Sequence, residues 1–228
     1  IKNIKWYRVP IANSELKELS KRSNIKGAFQ SLTHLTIWIL TGLFTFYFFK
    51  NEYWYLFVIS LLTHGLVGSH FSNAHHELSH GTVFKNKALN NLFLQIFCLL
   101  GWLNYHIYKM SHTYHHRYTC YTDLDNEVVL PREPSLRFFF LLQLFTINLF
   151  SKKGGLFPTI FNFVKIAFNR FDNPLSMWKE DLFKNKHKER NQAKVWARIV
   201  LLFHVNVILM SMFYGELIFI LIISCHTF

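Results

Sequence analysis

The chain has 228 residues, 51% of them hydrophobic and 18% aromatic, with 25 Phe. That Phe content, gathered into long apolar runs, excludes an ordinary soluble domain and points to a membrane protein. The formal net charge of +12 flanks apolar runs, as juxtamembrane charge does, and with no recognition module visible nucleic acid is set aside as a partner. Cys98, Cys120 and Cys225 are far apart and form no CxxC pair, so they suggest packing residues rather than a disulfide framework.

Residues 1–30 are basic, with Lys2, Lys5, Arg8, Lys17, Lys21, Arg22 and Lys26 against Glu15 and Glu18. Ser14 is placed to cap a short helix from Glu15 to Arg22. Leu32 to Phe49 carries few polar residues and spans roughly 27 Å as a helix, nearly a bilayer core. Lys50-Asn51-Glu52 reads as a turn and Tyr53-Trp54-Tyr55 as interfacial aromatics, before a second span over 54–72. Polar residues continue that second helix past the membrane to a stop at Gly81, a good C′ residue.

Leu89 to Leu103 is apolar but short for a crossing. Basic residues lie on both sides of it, and a crossing would separate two histidine clusters, so it is expected to stay at or near one membrane surface. Pro131 and Pro134 end a polar stretch that carries Asp123, Asp125 and Glu127. Leu156 to Phe171 mixes Phe and Ile with Lys165 and Arg170, which suits an interfacial helix. Lys179 to Arg198 reads as a solvated helix, 195–214 as the third span, and 217–228 onward as the opening of a fourth. The expected fold is therefore all-α and integral to the membrane. Two transmembrane hairpins, about four spans, flank a helical region placed on the cytoplasmic face by its Lys and Arg. Residues 1–228 read as one domain, cut at its C-terminal end.

The chemistry lies in His75-His76-Glu77-Leu78-Ser79-His80 and His112-Thr113-Tyr114-His115-His116. Residues four apart on a helix differ by about 40° around the axis, so His76 and His80 point the same way. His75 lies about 140° from His80 and is only a possible additional ligand. His112, His115 and His116 share one side of their helix. Histidines isolated in apolar stretches (His34, His64, His70 and His204) read as ordinary packing residues. His76 to His80 also spells HExxH, the zinc-protease pattern with Glu77 as general base. Zinc is satisfied by four ligands, and five histidines with open positions suit iron and oxygen better.

The two clusters resemble the first two histidine boxes of the membrane fatty acid desaturase/hydroxylase superfamily: HELSH followed by Gly81-Thr82-Val83-Phe84, then HxxHH. The box spacing and the flanking hairpins are similar too, over nearly the whole chain. The family's third box follows its fourth span and is expected beyond Phe228. The resemblance implies two iron ions held by His76, His80, His112, His115 and His116. Glu77, Asp123, Asp125 and Glu127 would accept from ligand N–H groups. It implies an O2-dependent double-bond insertion into the acyl chain of a fatty acid or lipid. Electrons would come from a separate ferredoxin- or cytochrome b5-type donor. Lys109 and Arg117 could meet a phosphate headgroup or an acidic electron carrier, although positive-inside charge explains them equally well. The alternatives are a lipid, alkane or carotenoid hydroxylase of the same fold and, from another class, a membrane zinc metalloprotease.

Overall fold

The first apolar run forms α2 (Asn24–Lys50), preceded by a short exposed helix, α1 (Asn13–Leu19). The computed structural model describes residues 9–119, 148–150, 154–171, 180–183 and 185–228; Cys120, Asp123, Asp125, Glu127 and the apolar run after Pro134 lie outside these. Among the described residues every regular element is helical. Ser14 is not the expected cap: the helix starts one residue earlier, with Leu16 N–H bonded to the Ala12 carbonyl, and Ser14 sits inside it. Ser23 instead caps α2, accepting from Lys26 N–H.

At 27 residues α2 is about 40 Å long and outruns a bilayer core. Its N-terminal end docks on the Gly81–Phe84 turn. A side chain at Gly27 would collide with the Val83 carbonyl, and Asn24 Oδ1 accepts from Asn86 N–H at 2.8 Å.

After a turn at Asn51 and Glu52, α3 (Trp54–Ser69) packs back along α2. Polar side chains join the two. His34 Nε2 donates to the Val67 carbonyl at 3.1 Å, and His64 Nδ1 pairs with Thr41 Oγ1 at 2.9 Å. The outward faces stay apolar, with Ile39, Leu43, Leu62 and Leu66 exposed, as lipid-facing helices require. Among the described residues, three helical stretches are long and apolar enough to cross a membrane: Asn13–Lys50, Trp54–Ser79 and His187–Phe213.

The second stretch is bent at His70, where α3 gives way to α4 (Phe71–Ser79). Ser69 and Ser72 hydroxyls bond back to the carbonyls of Leu66 and Ser69, a known cause of helix bending. Gly81 then ends the helix with φ +68, and its N–H reaches the Leu78 carbonyl at 3.0 Å. Asn86 caps α5 (Lys87–Leu100) through bonds to Ala88 and Leu89 N–H. At 14 residues α5 is about 21 Å long, and Leu94, Phe97 and Cys98 bury against the core.

Asn104 starts α6 (Tyr105–Tyr118), its Oδ1 accepting from Ile107 N–H while Nδ2 donates to the Ala193 carbonyl at 2.8 Å. Trp196 Nε1 donates to the Leu103 carbonyl at 2.9 Å. Both bonds fasten α6 to α8 (His187–Phe213). The solvated helix and third span expected as two elements are this one helix, because no Pro or Gly interrupts residues 187–213. Before it, α7 (Leu156–Ala167) packs on α8 through Phe163, Ile166 and Ala167, leaving Phe157, Phe161, Val164 and Phe168 exposed.

The segment expected to open a fourth span is helical over residues 218–224, with a π turn at Ile220–Ser224. Its backbone carbonyls are held from the side. His64 Nε2 donates to the Ile222 carbonyl at 2.9 Å and Trp102 Nε1 to the Ser224 carbonyl at 2.8 Å. His204 Nδ1 pairs with Ser224 Oγ at 2.8 Å, and its Nε2 donates to the Leu99 carbonyl.

Candidate metal centre

Two helices carry the candidate ligands, and short local devices aim them. On α4, His76 and the C-cap residue His80 lie one turn apart with ring centroids 4.8 Å from each other. On α6, His112 and His116 are likewise one turn apart, at 4.5 Å. The Gly81 turn and α5 bring α6 back onto α4. His112 Nε2 lies 3.1 Å from His80 Nε2, His116 Nε2 lies 3.2 Å from the same atom, and His112 and His116 Nε2 are 3.0 Å apart. One nitrogen from each of His76, His80, His112 and His116 falls within 4.8 Å of all the others. At 14 residues α5 is shorter than the three stretches long enough to cross a membrane.

The donor set fits a cation. Each ring nitrogen either carries a proton or offers a lone pair. Three Nε2 atoms in mutual contact therefore include at least one pair of like groups, whichever tautomers are chosen. A metal ion accepts all the lone pairs at once. The point equidistant from the three atoms is about 1.8 Å from each (their mean separation over √3), near the roughly 2.0–2.1 Å of a zinc–imidazole bond. His80 favours the neutral, ligating form. Burial lowers its pKa, the neighbouring His112, His76 and His116 lower it further, and Glu77 partly offsets them.

Glu77 accepts from His76 Nδ1 at 2.9 Å, which leaves Nε2 as the lone-pair atom. It also borders a cavity of about 260 Å³ between α2 and α4. His115 is not in the group of four; its ring stacks beside His112 at 5.4 Å. His75 is not in the group of four; it lies edge-on to Tyr108, with its buried Nδ1 unpartnered. His64 and His204 are buried with both ring nitrogens engaged, the packing role expected of them. His226 lies among Trp38, His64 and Phe71 and is not one of the four. Lys109, which the sequence offers equally as positive-inside charge or as a headgroup or carrier contact, is half-buried with its ammonium over the Tyr105 ring, and burial lowers its pKa.

Three residues outside the histidine boxes position the site. Asn90 is buried and its Nδ2 donates to the Leu78 carbonyl at 2.6 Å, bracing the end of α4. Asn104 pins the start of α6, and Tyr108 stacks on His112.

A four-histidine cluster that could hold a metal ion thus lies at the ends of helices long and apolar enough to cross a membrane. A family model described as fatty acid desaturase matches residues 52–228, and the chain belongs to that family. Its function is therefore of the desaturase/hydroxylase type, in a family known for di-iron sites. No curated protein and no solved structure matches the chain.

Proposed function

We propose that this protein is an O2-dependent desaturase that inserts a double bond into the acyl chain of a fatty acid or lipid. The observation that carries the reading is the convergence of His76, His80, His112 and His116 from two helices on one point. These four imidazoles would hold one iron, and His115, stacked beside His112, is assigned to the second ion of the pair. The bound metals would supply O2 activation and take electrons from a separate ferredoxin- or cytochrome b5-type donor.

The chain's own residues set the stage. Glu77 holds the His76 ring in one tautomer. Asn90 and Asn104 fix the helix ends that carry the ligands. The apolar outer faces of α2, α3 and α8 keep the protein in the bilayer, as a multi-pass protein, where its substrate is dissolved. The basic segments between the hairpins put the site on the cytoplasmic face. Arg117, exposed one residue past His116, remains open to an acidic partner or headgroup.

The zinc-protease alternative is disfavoured by the family match over residues 52–228. Glu77 Oε1 accepting from His76 Nδ1 suits a carboxylate that orients a ligand ring. Lipid analysis of cells expressing the full-length protein tests the proposal: new unsaturation is expected, and hydroxylated lipid alone would replace it with a hydroxylase. Metal analysis should find about two irons per full-length chain; a single zinc would sink the reading. Glu77→Gln should weaken desaturation without abolishing it, whereas it would silence a protease outright.

A further inference from the structure

Each ring that binds a metal needs a partner to fix its plane. For His76 that partner is Glu77. For His112 the contact is of another kind. Tyr108 lies one turn earlier on α6, and its ring stacks on the His112 ring with centroids 4.9 Å apart and planes 13° from parallel. A second contact comes from α4: His75 meets the same Tyr108 ring edge-on at 5.0 Å and 74°. Tyr108 is thus an α6 side chain that touches both histidine helices, at residues adjacent to or within the metal set. His112 is also the most deeply buried of the four, 6% exposed. Its plane decides whether Nε2 points at His80 and His116.

We propose that Tyr108 is a positioning residue for the metal centre, a flat spacer between His75 and His112 that sets the His112 plane and the separation of α4 from α6. The inference rests on the four-histidine reading of the site. It gives His75 a role that is not ligation: its ring braces Tyr108 edge-on. What matters at position 108 is then a planar ring, and at 75 a ring edge.

Cobalt(II) is the test probe, because its visible absorption reports ligand geometry as well as binding. The full chain in detergent micelles is titrated with Co2+ as wild type, Tyr108→Phe, Tyr108→Leu, His75→Phe and His112→Ala. Wild type should bind and His112→Ala should lose the band; if these two titrate alike, the four-histidine reading fails and the inference falls with it. Given that difference, Tyr108→Phe should keep the wild-type band and affinity. Tyr108→Leu should alter the band and weaken binding by about 10–100-fold, the usual range for outer-shell partners. His75→Phe should match wild type. A Tyr108→Leu titration superimposable on wild type would overturn the proposal, as would a His75→Phe loss as large as that of His112→Ala. Should Tyr108→Leu fail to fold, the His75→Phe result decides by itself: an unchanged band supports the spacer, and a lost band makes His75 a ligand.

Discussion

Asn90→Leu offers a direct measure of how firmly the α4 end of the site is held. Asn90 is 3% exposed and makes two bonds. Its Nδ2 donates to the Leu78 carbonyl at 2.6 Å, and its Oδ1 accepts from Phe84 N–H at 3.5 Å. Leucine has the same branched skeleton with bulkier methyl groups, so no cavity is created and the polar loss sets the least cost. The Leu78 carbonyl keeps the Gly81 N–H at 3.0 Å, so there the cost is one net hydrogen bond, about 1 kcal/mol. Phe84 N–H is left buried without that partner, at about 1–2 kcal/mol, the lower part of the usual range because the existing bond is long. The sum is about 2–3 kcal/mol. For a chain of this size that lowers Tm by about 4–12 °C. Thermal unfolding in detergent, followed by the fluorescence of the six tryptophans, reads it. Asn90→Asp should fall further, since it removes the donor and buries a carboxylate. An Asn90→Leu midpoint within about 1 °C of wild type would refute the reasoning, because the Leu78 and Phe84 bonds would then contribute nothing net.

Three further outcomes follow from local features. Burial, with Lys109 adding to it, pushes the His106 pKa from 6.5 down to about 4. The native state therefore favours the neutral ring. Its contribution is complete above pH 6.5 and is lost as the pH falls toward 4, so His106→Gln should flatten the decline of Tm over that window; an unchanged slope would place the acid sensitivity elsewhere. Gly81→Ala forces an L-residue into φ +68 with open space around it, so strain without collision should cost about 1–2 kcal/mol and appear as a lower Tm. A nitroxide at Phe161, on the exposed stripe of α7, should be relaxed by oxygen in lipid nanodiscs and shielded from an aqueous nickel chelate; the reverse pattern would put α7 in water rather than at the membrane surface.

The parts of the fold legible in the sequence are those set by short-range periodicity. The preference for His76 over His75 beside His80 follows from 100° per residue, and α4 places the rings accordingly. Gly81 is the stop because an L-residue resists its φ. Composition misled where it changed without a breaker. Residues 187–213 pass from charged to apolar and suggest two elements, yet with no Pro or Gly the hydrogen-bond ladder runs on. The bend at His70 is the converse case, since its cause is a pair of serine hydroxyls returning to their own helix. No hydropathy window registers that.

The site divides along the same line. Ligand type and pairing within each box are local properties, and both are readable. Which members of the second box meet the first is not local, because 112, 115 and 116 all lie within a 100° arc of α6. The crossing of α6 over α4 selects His112 and His116 and leaves His115 beside them. That crossing is fixed by Asn104 on Ala193, Trp196 on Leu103 and Asn90 on Leu78, bonds that join positions 89, 93 and 12 residues apart. A four-histidine cluster assembled from two helices thus depends on polar side chains outside the cluster. If so, Asn104→Leu, more than 80 residues in sequence from its partner and outside the group of four, should weaken Co2+ binding by tilting α6. His116→Ala should weaken it by removing a nitrogen. Only the second should leave the wild-type midpoint of the metal-free protein nearly unchanged, because His116 is exposed while Asn104 is buried. Equal midpoints for the two variants would mean that α6 is held by its apolar contacts alone.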